Sequence, residues 1–457
     1  MNELKKTLYF GGAAVLLALI AFISSPKRVT PEAFIDTGEL FFPDFQDPNE
    51  ATTLEVVEYN EETGTPVPFK VTFKDGQWTI PSHYDYPADA KDRLSKTAAG
   101  VIGIRKDEFR SDNVTDHEAL GVIDPLDETV TTLKGRGTRI TLKNANGNVL
   151  ADFIMSKNIE GKKKLRYVRV PGQKRVYASK VDIDLSTKFA DWINKDLLEV
   201  TKADINKVIL KDYSINERSG TVQNRDVVVL SRDGSNWKAK KMGKTQEVDK
   251  TKMNNLLTAI DELSIVGVRP KPQGLTKSLT KSSAGMKVKT EGMLSLQSKG
   301  YYFTRDGQLL SNEGEIQAQT LDGVTYTLRF GEVVYGSGLA VTAGTDNNNE
   351  KTDKDTAENR YLFVTTQFDG SQFKEPPLPK NTAFKTKADS LWTDADKQNK
   401  KIQDTHDQWQ KKIERGQKLS DDLNERFAKW YYVISNDNFK KLHLKRKDLI
   451  KKKEKTS

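Results

Sequence analysis

No cysteine occurs among the 457 residues, which excludes disulfide staples, thiolate zinc sites and cysteine nucleophiles together. Histidine is nearly as scarce. His83, His117, His406 and His443 are the only four; they fall in separate segments and never at the four-residue spacing of a helical metal pair. Each reads as a solvated or capping side chain. Catalytic signatures are missing as well. Tyr335-Gly336-Ser337-Gly338 does not complete the G-x-S-x-G of a nucleophile elbow and reads as a flexible loop. Gly135-Arg136-Gly137 lacks the lysine and spacing of a phosphate loop and reads as a turn before the strand at Ile140. The sequence therefore presents no catalytic residue, no cofactor-binding residue and no metal ligand. The expectation is a protein that is not an enzyme and uses no cofactor, with a hydrolase as the minor alternative.

What is present begins with an apolar run from Thr7 to Ser25, crowded with Leu8, Phe10, Val15, Leu16, Leu17, Leu19, Ile20, Phe22 and Ile23 and free of ionisable residues. Nineteen helical residues reach about 28 Å, close to the thickness of a hydrocarbon core. An uncleaved anchor is favoured over a removed signal peptide, because the run is long and Ile23-Ser24-Ser25-Pro26 matches a small-x-small cleavage site poorly. A buried core helix is the other alternative, and apolarity on all sides argues against it. Lys5 and Lys6 before the run balance Lys27 and Arg28 after it, so the positive-inside rule is tied. The short leading segment favours residues 1–6 in the cytoplasm, 7–25 as a transmembrane anchor, and the body outside.

The body repeats itself. Lys74-Asp75-Gly76-Gln77-Trp78 and Arg232-Asp233-Gly234-Ser235-Asn236-Trp237 each read as a strand, an Asp-Gly turn and a return strand opened by tryptophan. At equal offsets from the two tryptophans lie Leu94, Ala98, Val101 and Ile104, and Met253, Leu257, Ile260 and Leu263. Those steps mark one face of a helix. Asp89 and Asp249 stand near the two helix starts as candidate caps. Strands follow in both copies: Val149 to Ile154 and Val324 to Phe330, then Arg166-Tyr167-Val168-Arg169-Val170 and Arg360-Tyr361-Leu362-Phe363-Val364. Ahead of each copy lies a further strand, Thr53 to Tyr59 and Ile205 to Lys211. The two tryptophans are expected to pack in the core in preference to stacking on a sugar or peptide, and Asp75 and Asp233 to form turns in preference to acid-base pairs. The fold class expected is α+β: a single N-terminal transmembrane helix, a duplicated mixed strand/helix repeat at 26–200 and 201–374, and a helical C-terminal tail. The second copy carries two inserts, 269–300 and 336–359, the latter with the loop Asn347-Asn348-Asn349-Glu350-Lys351.

Residues 375–457 form that tail. After Glu375-Pro376-Pro377-Leu378-Pro379, Leu391, Ala395, Ile402, Trp409 and Ile413 recur at helical steps, and Leu423, Phe427, Trp430 and Ile434 extend the apolar face. Gln398 and Thr405 in seam positions and the interrupting Gly416 favour a helix or helical hairpin packed on the body over a self-standing coiled coil. From Asn381 to Ser457 there are 20 Lys and Arg against 12 Asp and Glu, so +8 of the net charge of +9 lies there. The ordinary reading of such lysines is a solvated terminus. Near an anionic membrane each adds on the order of 1 kcal/mol, screened within a Debye length.

The paired Asp-Gly…Trp units, the helices after them, the Arg-Tyr strands and the apolar run together resemble the bacterial family called domain of unknown function 4340, over about residues 5 to 370. The resemblance implies a membrane-tethered extracytoplasmic protein, whose genes often neighbour those of ABC-type transporter components related to gliding-motility export. It carries no active site to transfer. The function expected is a membrane-anchored extracytoplasmic scaffold or accessory subunit, of an ABC-type (gliding-motility-like) transport complex. The alternative is an envelope-binding module that grips lipid, glycan or an acidic polymer through its basic tail. Expected partners are the lipid bilayer and a transporter permease or envelope complex. Nucleic acid is set aside by the location, the bacterial cytoplasmic membrane with the body in the periplasm or cell envelope.

Overall fold

A computed structural model describes residues 3–24, 36–216, 221–280, 288–304, 307–336, 341–343 and 358–453. Ser337 and Gly338, the loop 347–351 and the last four residues of the basic tail lie outside the described residues. The strands are β1 (Thr53–Asn60), β2 (Thr65–Lys74), β3 (Gln77–Ile80), β4 (Tyr86–Pro87), β5 (Glu108–Ser111), β6 (Thr138–Lys143), β7 (Val149–Asn158), β8 (Leu165–Arg169), β9 (Val176–Lys180), β10 (Ile205–Asn216) and β11 (Thr221–Asp233). They continue with β12 (Asn236–Ala239), β13 (Gln246–Val248), β14 (Gly267–Pro270), β15 (Tyr301–Phe303), β16 (Leu309–Ser311), β17 (Glu315–Thr320), β18 (Val324–Val334), β19 (Asn359–Phe368), β20 (Trp430–Ser435) and β21 (Ile450–Lys452). The described helices are α1 (Glu3–Ser24), α2 (Lys91–Ile102), α3 (Lys250–Asp261), α4 (Gln273–Thr280), α5 (Thr290–Gln297), α6 (Asp394–Ala428), α7 (Asn436–Leu442) and α8 (Arg446–Leu449).

Two corrections to the expected fold class follow. The architecture is mostly β, carried by antiparallel sheets of nine and eight strands, not a balanced α+β one. Among the described residues no helix is long and apolar enough to cross a membrane, so the single transmembrane helix expected at 7–25 is not shown. Helix α1 begins with Glu3, Lys5 and Lys6. Over residues 10–20, the stretch of this helix whose side chains are described, Phe10, Val15, Leu16, Leu17, Leu19 and Ile20 are exposed.

The chain divides into two compact units, residues 1–68 with 94–185 and residues 69–93 with 186–457. In the first, strands run in the order β1-β6-β7-β8-β9-β5. Alternation places Leu54, Val56, Ile140 and Leu142 inward, all buried. Between them on the other face, Lys143 pairs with Glu55 at 2.8 Å, and Arg139 pairs with Asp152 at 2.7 Å and Asp124 at 3.0 Å. Leu94, Ala98 and Val101 of α2 are buried, and Thr97 donates to the Asp184 carbonyl at 2.7 Å.

The second unit contains the β2–β3 hairpin and an eight-stranded sheet in the order β12-β11-β10-β17-β18-β19-β20-β14. Its stretch β10-β17-β18-β19-β20-β14 is ordered like the six strands of the first unit: an opening strand, three consecutive antiparallel strands, a fifth strand that comes later in sequence, and an edge strand that comes earlier. The fifth position is filled by β20, which lies beyond α6. The tail is therefore not simply helical, and this is the third correction. Trp430-Tyr431-Tyr432-Val433-Ile434 is buried along its whole length between β19 and β14. The helical steps through Trp430 and Ile434 are overridden there by β-branched and aromatic residues that suit a central strand.

Helix α6 opens on a capping box in which Thr393 and Asp396 exchange hydrogen bonds. It is a single helix, and it buries Gly416, Ser420, Leu423, Asn424 and Phe427, while Ile402, Trp409 and Ile413 stay half-buried. Against β19, the Thr366 amide donates to Asn424 at 2.8 Å, its hydroxyl donates to the Ser420 carbonyl at 2.8 Å, and Asn424 donates back to the Thr366 carbonyl at 2.7 Å. Gly416 is required by close approach: a Cβ there would stand 2.3 Å from a Phe368 ring carbon and 2.7 Å from the Asp322 carbonyl oxygen.

Candidate functional site

The two tryptophan hairpins differ in their turns and in what faces the indole. In the first, Lys74 pairs with Gln77, and Asp75 and Gly76 both adopt positive φ, 53° and 80°, as a type I′ turn demands. In the second, Asp233 pairs with Asn236, and Gly234 alone takes positive φ, 59°; the central residues are Gly234-Ser235, the pattern of a type II′ turn. Asp75 thus lies inside its turn and Asp233 flanks one, where Lys238 hydrogen-bonds and pairs with it and holds its carboxyl below the usual range. Across the strands, Trp78 faces Phe73, with ring centroids 5.2 Å apart, but Trp237 faces Arg232. Neither tryptophan belongs to the core; both are half-buried.

The Arg232–Trp237 pair opens onto a cleft of about 670 Å³. One face of α3 lines it with Lys250, Met253, Asn254 and Leu257, spaced three, one and three residues apart as on a single helical stripe. Asp249 caps that helix by accepting from the Lys252 amide at 3.0 Å; this backbone hydrogen bond, helped by Lys451, holds the Asp249 carboxyl low. Asp89, two residues before α2, instead donates its amide to the Trp192 carbonyl at 2.8 Å. The remaining walls are Lys202 and Ala203 before β10, Trp237 and Lys238 of β12, Met242, β13, and Lys453 after β21.

The last of these walls comes from the basic tail. Strand β21 pairs with β13 in the register Gln246–Lys452, Glu247–Lys451 and Val248–Ile450. The Asp249 amide donates to Leu449 at 2.8 Å and the Lys453 amide to Thr245 at 2.9 Å. Arg446 grips Asp226 with two bonds of 2.8 and 2.9 Å, which holds the Asp226 carboxyl low and raises the Arg446 guanidinium. Leu442 and Leu449 are fully buried. The tail therefore docks, and five basic side chains (Lys202, Arg232, Lys238, Lys250 and Lys453) border one cleft with Glu247 as the acidic one. No local pattern in Gln246-Glu247-Val248 or Ile450-Lys451-Lys452 announces that pairing. The signal that was available is the presence of Leu442 and Leu449 among the lysines, since a purely solvated tail has no use for regularly placed apolar residues.

The four histidines stay apart. His83 is 1% exposed, its Nε2 2.9 Å from the Thr342 hydroxyl and its Nδ1 3.0 Å from Ser82, and it stacks on Phe189 at 4.5 Å. Burial, with Arg269 nearby, pushes it down to about 4. His117 Nε2 lies 2.9 Å from the Lys174 carbonyl, His406 lies 3.4 Å from Glu375, and His443 stacks on Phe439 at 4.8 Å. Among the described residues no group of three His, Cys, Asp or Glu side chains converges as a metal site. Arg136 serves its own loop: its guanidinium donates to the carbonyls of Asp124, Asp127, Val130 and Thr132, which leaves no fork for a phosphate.

A family model described as Domain of unknown function (DUF4340) matches residues 78–278. The matched span contains Trp78, α2, Trp237 and α3, and so every wall of the cleft except Lys453. No curated protein and no solved structure matches the chain.

Proposed function

We propose that this chain, whose residues 78–278 carry the domain of unknown function, is a non-enzymatic binding module of the bacterial cell envelope. It holds an anionic partner in the cleft of its second unit. The observation that supports this is the convergence of five basic side chains around Trp237, one of them delivered by the docked C-terminal strand. Cations gathered over a concave wall attract and retain negative charge more strongly than the same cations scattered over a surface. The test is calorimetric titration of the full chain with citrate, inorganic polyphosphate and dodecyl phosphate. At least one should bind, more weakly as salt rises, and lose about tenfold in affinity, on the order of 1.4 kcal/mol, when Lys250 and Lys453 are both changed to Gln. A chain that binds none of the three, or binds as well after that change, does not have this function.

A second reading is a scaffold or accessory subunit at the cytoplasmic membrane, body on the periplasmic or envelope side, within an ABC-type (gliding-motility-like) transport complex. It is supported by the exposed apolar surface of α1, where Phe10 is 76% and Leu17 65% accessible; contiguous apolar surface of this kind calls for a lipid or protein cover. Recovery of the chain alone from native cells in mild detergent would count against it.

A further inference from the structure

We infer that the cleft takes an anionic amphiphile, an apolar body carrying one or two negative charges at one end, and not a hydrophilic polyanion. The inference rests on the reading of the cleft as an anion site and names its ligand class.

The distribution of chemistry within the cleft carries the argument. Trp237 and Met242 present half-buried apolar surface to it beside the buried Val248, Met253 and Leu257, and five basic side chains line it with them. A purely hydrophilic polyanion would use the basic side chains and leave the exposed parts of Trp237 and Met242 in water, whereas an aliphatic body removes them from water at roughly 25 cal/mol per Å². The volume of about 670 Å³ falls in the range of small-molecule sites, roughly 300–1,000 Å³. The half-buried Met242 among the lining residues has an unbranched thioether that adapts to flexible chains.

The charge count points the same way. Lys238 is engaged by Asp233, Lys202 donates to the Thr258 hydroxyl at 3.3 Å, and Arg232 donates to the Ala203 carbonyl at 2.5 Å. Among the described residues the ammonium groups of Lys250 and Lys453 have no such partner. Two available cations suit a ligand with one or two negative charges. A polyanion would have to displace existing partners to find more.

The experiment compares dodecyl phosphate below its micellar concentration with butyl phosphate, dodecanol, inorganic polyphosphate and vesicles containing phosphatidylglycerol, each titrated into the full chain. Dodecyl phosphate should bind one to one, at least about tenfold tighter than butyl phosphate, an effect that a few buried methylenes suffice to give. Dodecanol should bind more weakly than dodecyl phosphate. Trp237→Ala should weaken dodecyl phosphate binding at least about tenfold, and Met242→Gln, on a half-buried wall position, keeps the test open if the tryptophan variant does not fold. Vesicle binding that shares these sensitivities identifies the source as a lipid headgroup region, and binding to the free amphiphile alone identifies a soluble ligand; either supports the class. Equal affinity for polyphosphate and dodecyl phosphate, with no effect of Trp237 or Met242 but a loss with Lys250→Gln/Lys453→Gln, overturns the amphiphile while leaving the anion site standing. Failure of all the anions overturns both.

Discussion

The Lys271 ammonium donates to the Phe427 carbonyl at 2.9 Å, one of the last carbonyls of α6, which have no partner inside the helix. The same ammonium lies 3.9 Å from the Phe363 ring centroid and 5.2 Å from that of Tyr431. A cation at a helix C-terminus, over two aromatic faces, is compensated by the helix dipole and by π electrons. Burial nonetheless pushes Lys271 well below its ordinary range. The unfolded chain therefore binds more protons than the folded one, and stability rises with pH across the window between the two values. The unfolding free energy of the native chain from urea titrations should rise relative to that of Lys271→Met as pH climbs towards the ordinary lysine value, by up to about 1.4 kcal/mol per pH unit. Parallel pH profiles for the two proteins would contradict this.

His83 titrates in the same sense at the acid end. Its value is pushed from 6.5 to about 4 by burial, so the unfolded chain takes up the extra proton first. Stability should fall as pH drops from about 6.5 towards 4, by as much as about 3 kcal/mol. His83→Phe should remove that component from a thermal-melt series taken against pH, whatever its effect at pH 7.

Gly416→Ala places a methyl group against Phe368 and the Asp322 carbonyl. Overpacking of this kind costs about 1–3 kcal/mol, and because one clash is with a backbone oxygen that cannot turn aside it outweighs the roughly 1 kcal/mol gained from helix propensity. The melting temperature should fall. Gly416→Ala combined with Phe368→Leu should recover part of the loss, and an unaffected single variant would show that α6 does not lie on β19 at this point.

Docking of the C-terminal segment can be read by proteolysis. Asp226→Asn removes the charge that Arg446 grips through two hydrogen bonds. Both groups are partly exposed, so the cost in global stability should stay below about 1 kcal/mol. Cleavage within 443–453 should nevertheless accelerate. In the native chain the Asp226 contribution is present above the ordinary carboxylate range and lost as pH falls below about 4, so acid should speed the same cleavage. Equal cleavage rates at pH 7 would mean that Leu442, Leu449 and the β13–β21 pairing hold the segment unaided.

Much of the body was legible because its signals are local. Leu94, Ala98 and Val101 and their counterparts Met253, Leu257 and Ile260 occupy buried helical stripes where the spacing puts them, and Asp249 caps its helix. The turn at Asp233-Gly234 was legible only to within one residue, since glycine's freedom marks a turn without saying which of its central positions it fills. In α6 the apolar spacing of Ile402, Trp409 and Ile413 pointed to a seam that the fold leaves half-buried. The contacting face there is small and polar, Gly416, Ser420 and Asn424, chosen by close approach to β19 and by hydrogen bonding to Thr366.

What the sequence determined by itself is the exclusion of thiol chemistry, the positions of most strands and of the two short amphipathic helices, and the concentration of positive charge after residue 380. Each of these follows from residue identity or from periodicity within a dozen positions. Only the tertiary structure decided that Trp430–Ser435 fills a sheet position beyond a 35-residue helix, that Lys271 is buried, and that Lys453 meets Trp237 across one cleft. Those outcomes depend on which distant segments close on one another. Backbone pairing and burial over long loops are chosen by the whole fold's balance of chain entropy and contact, and they leave no mark in any single window of residues.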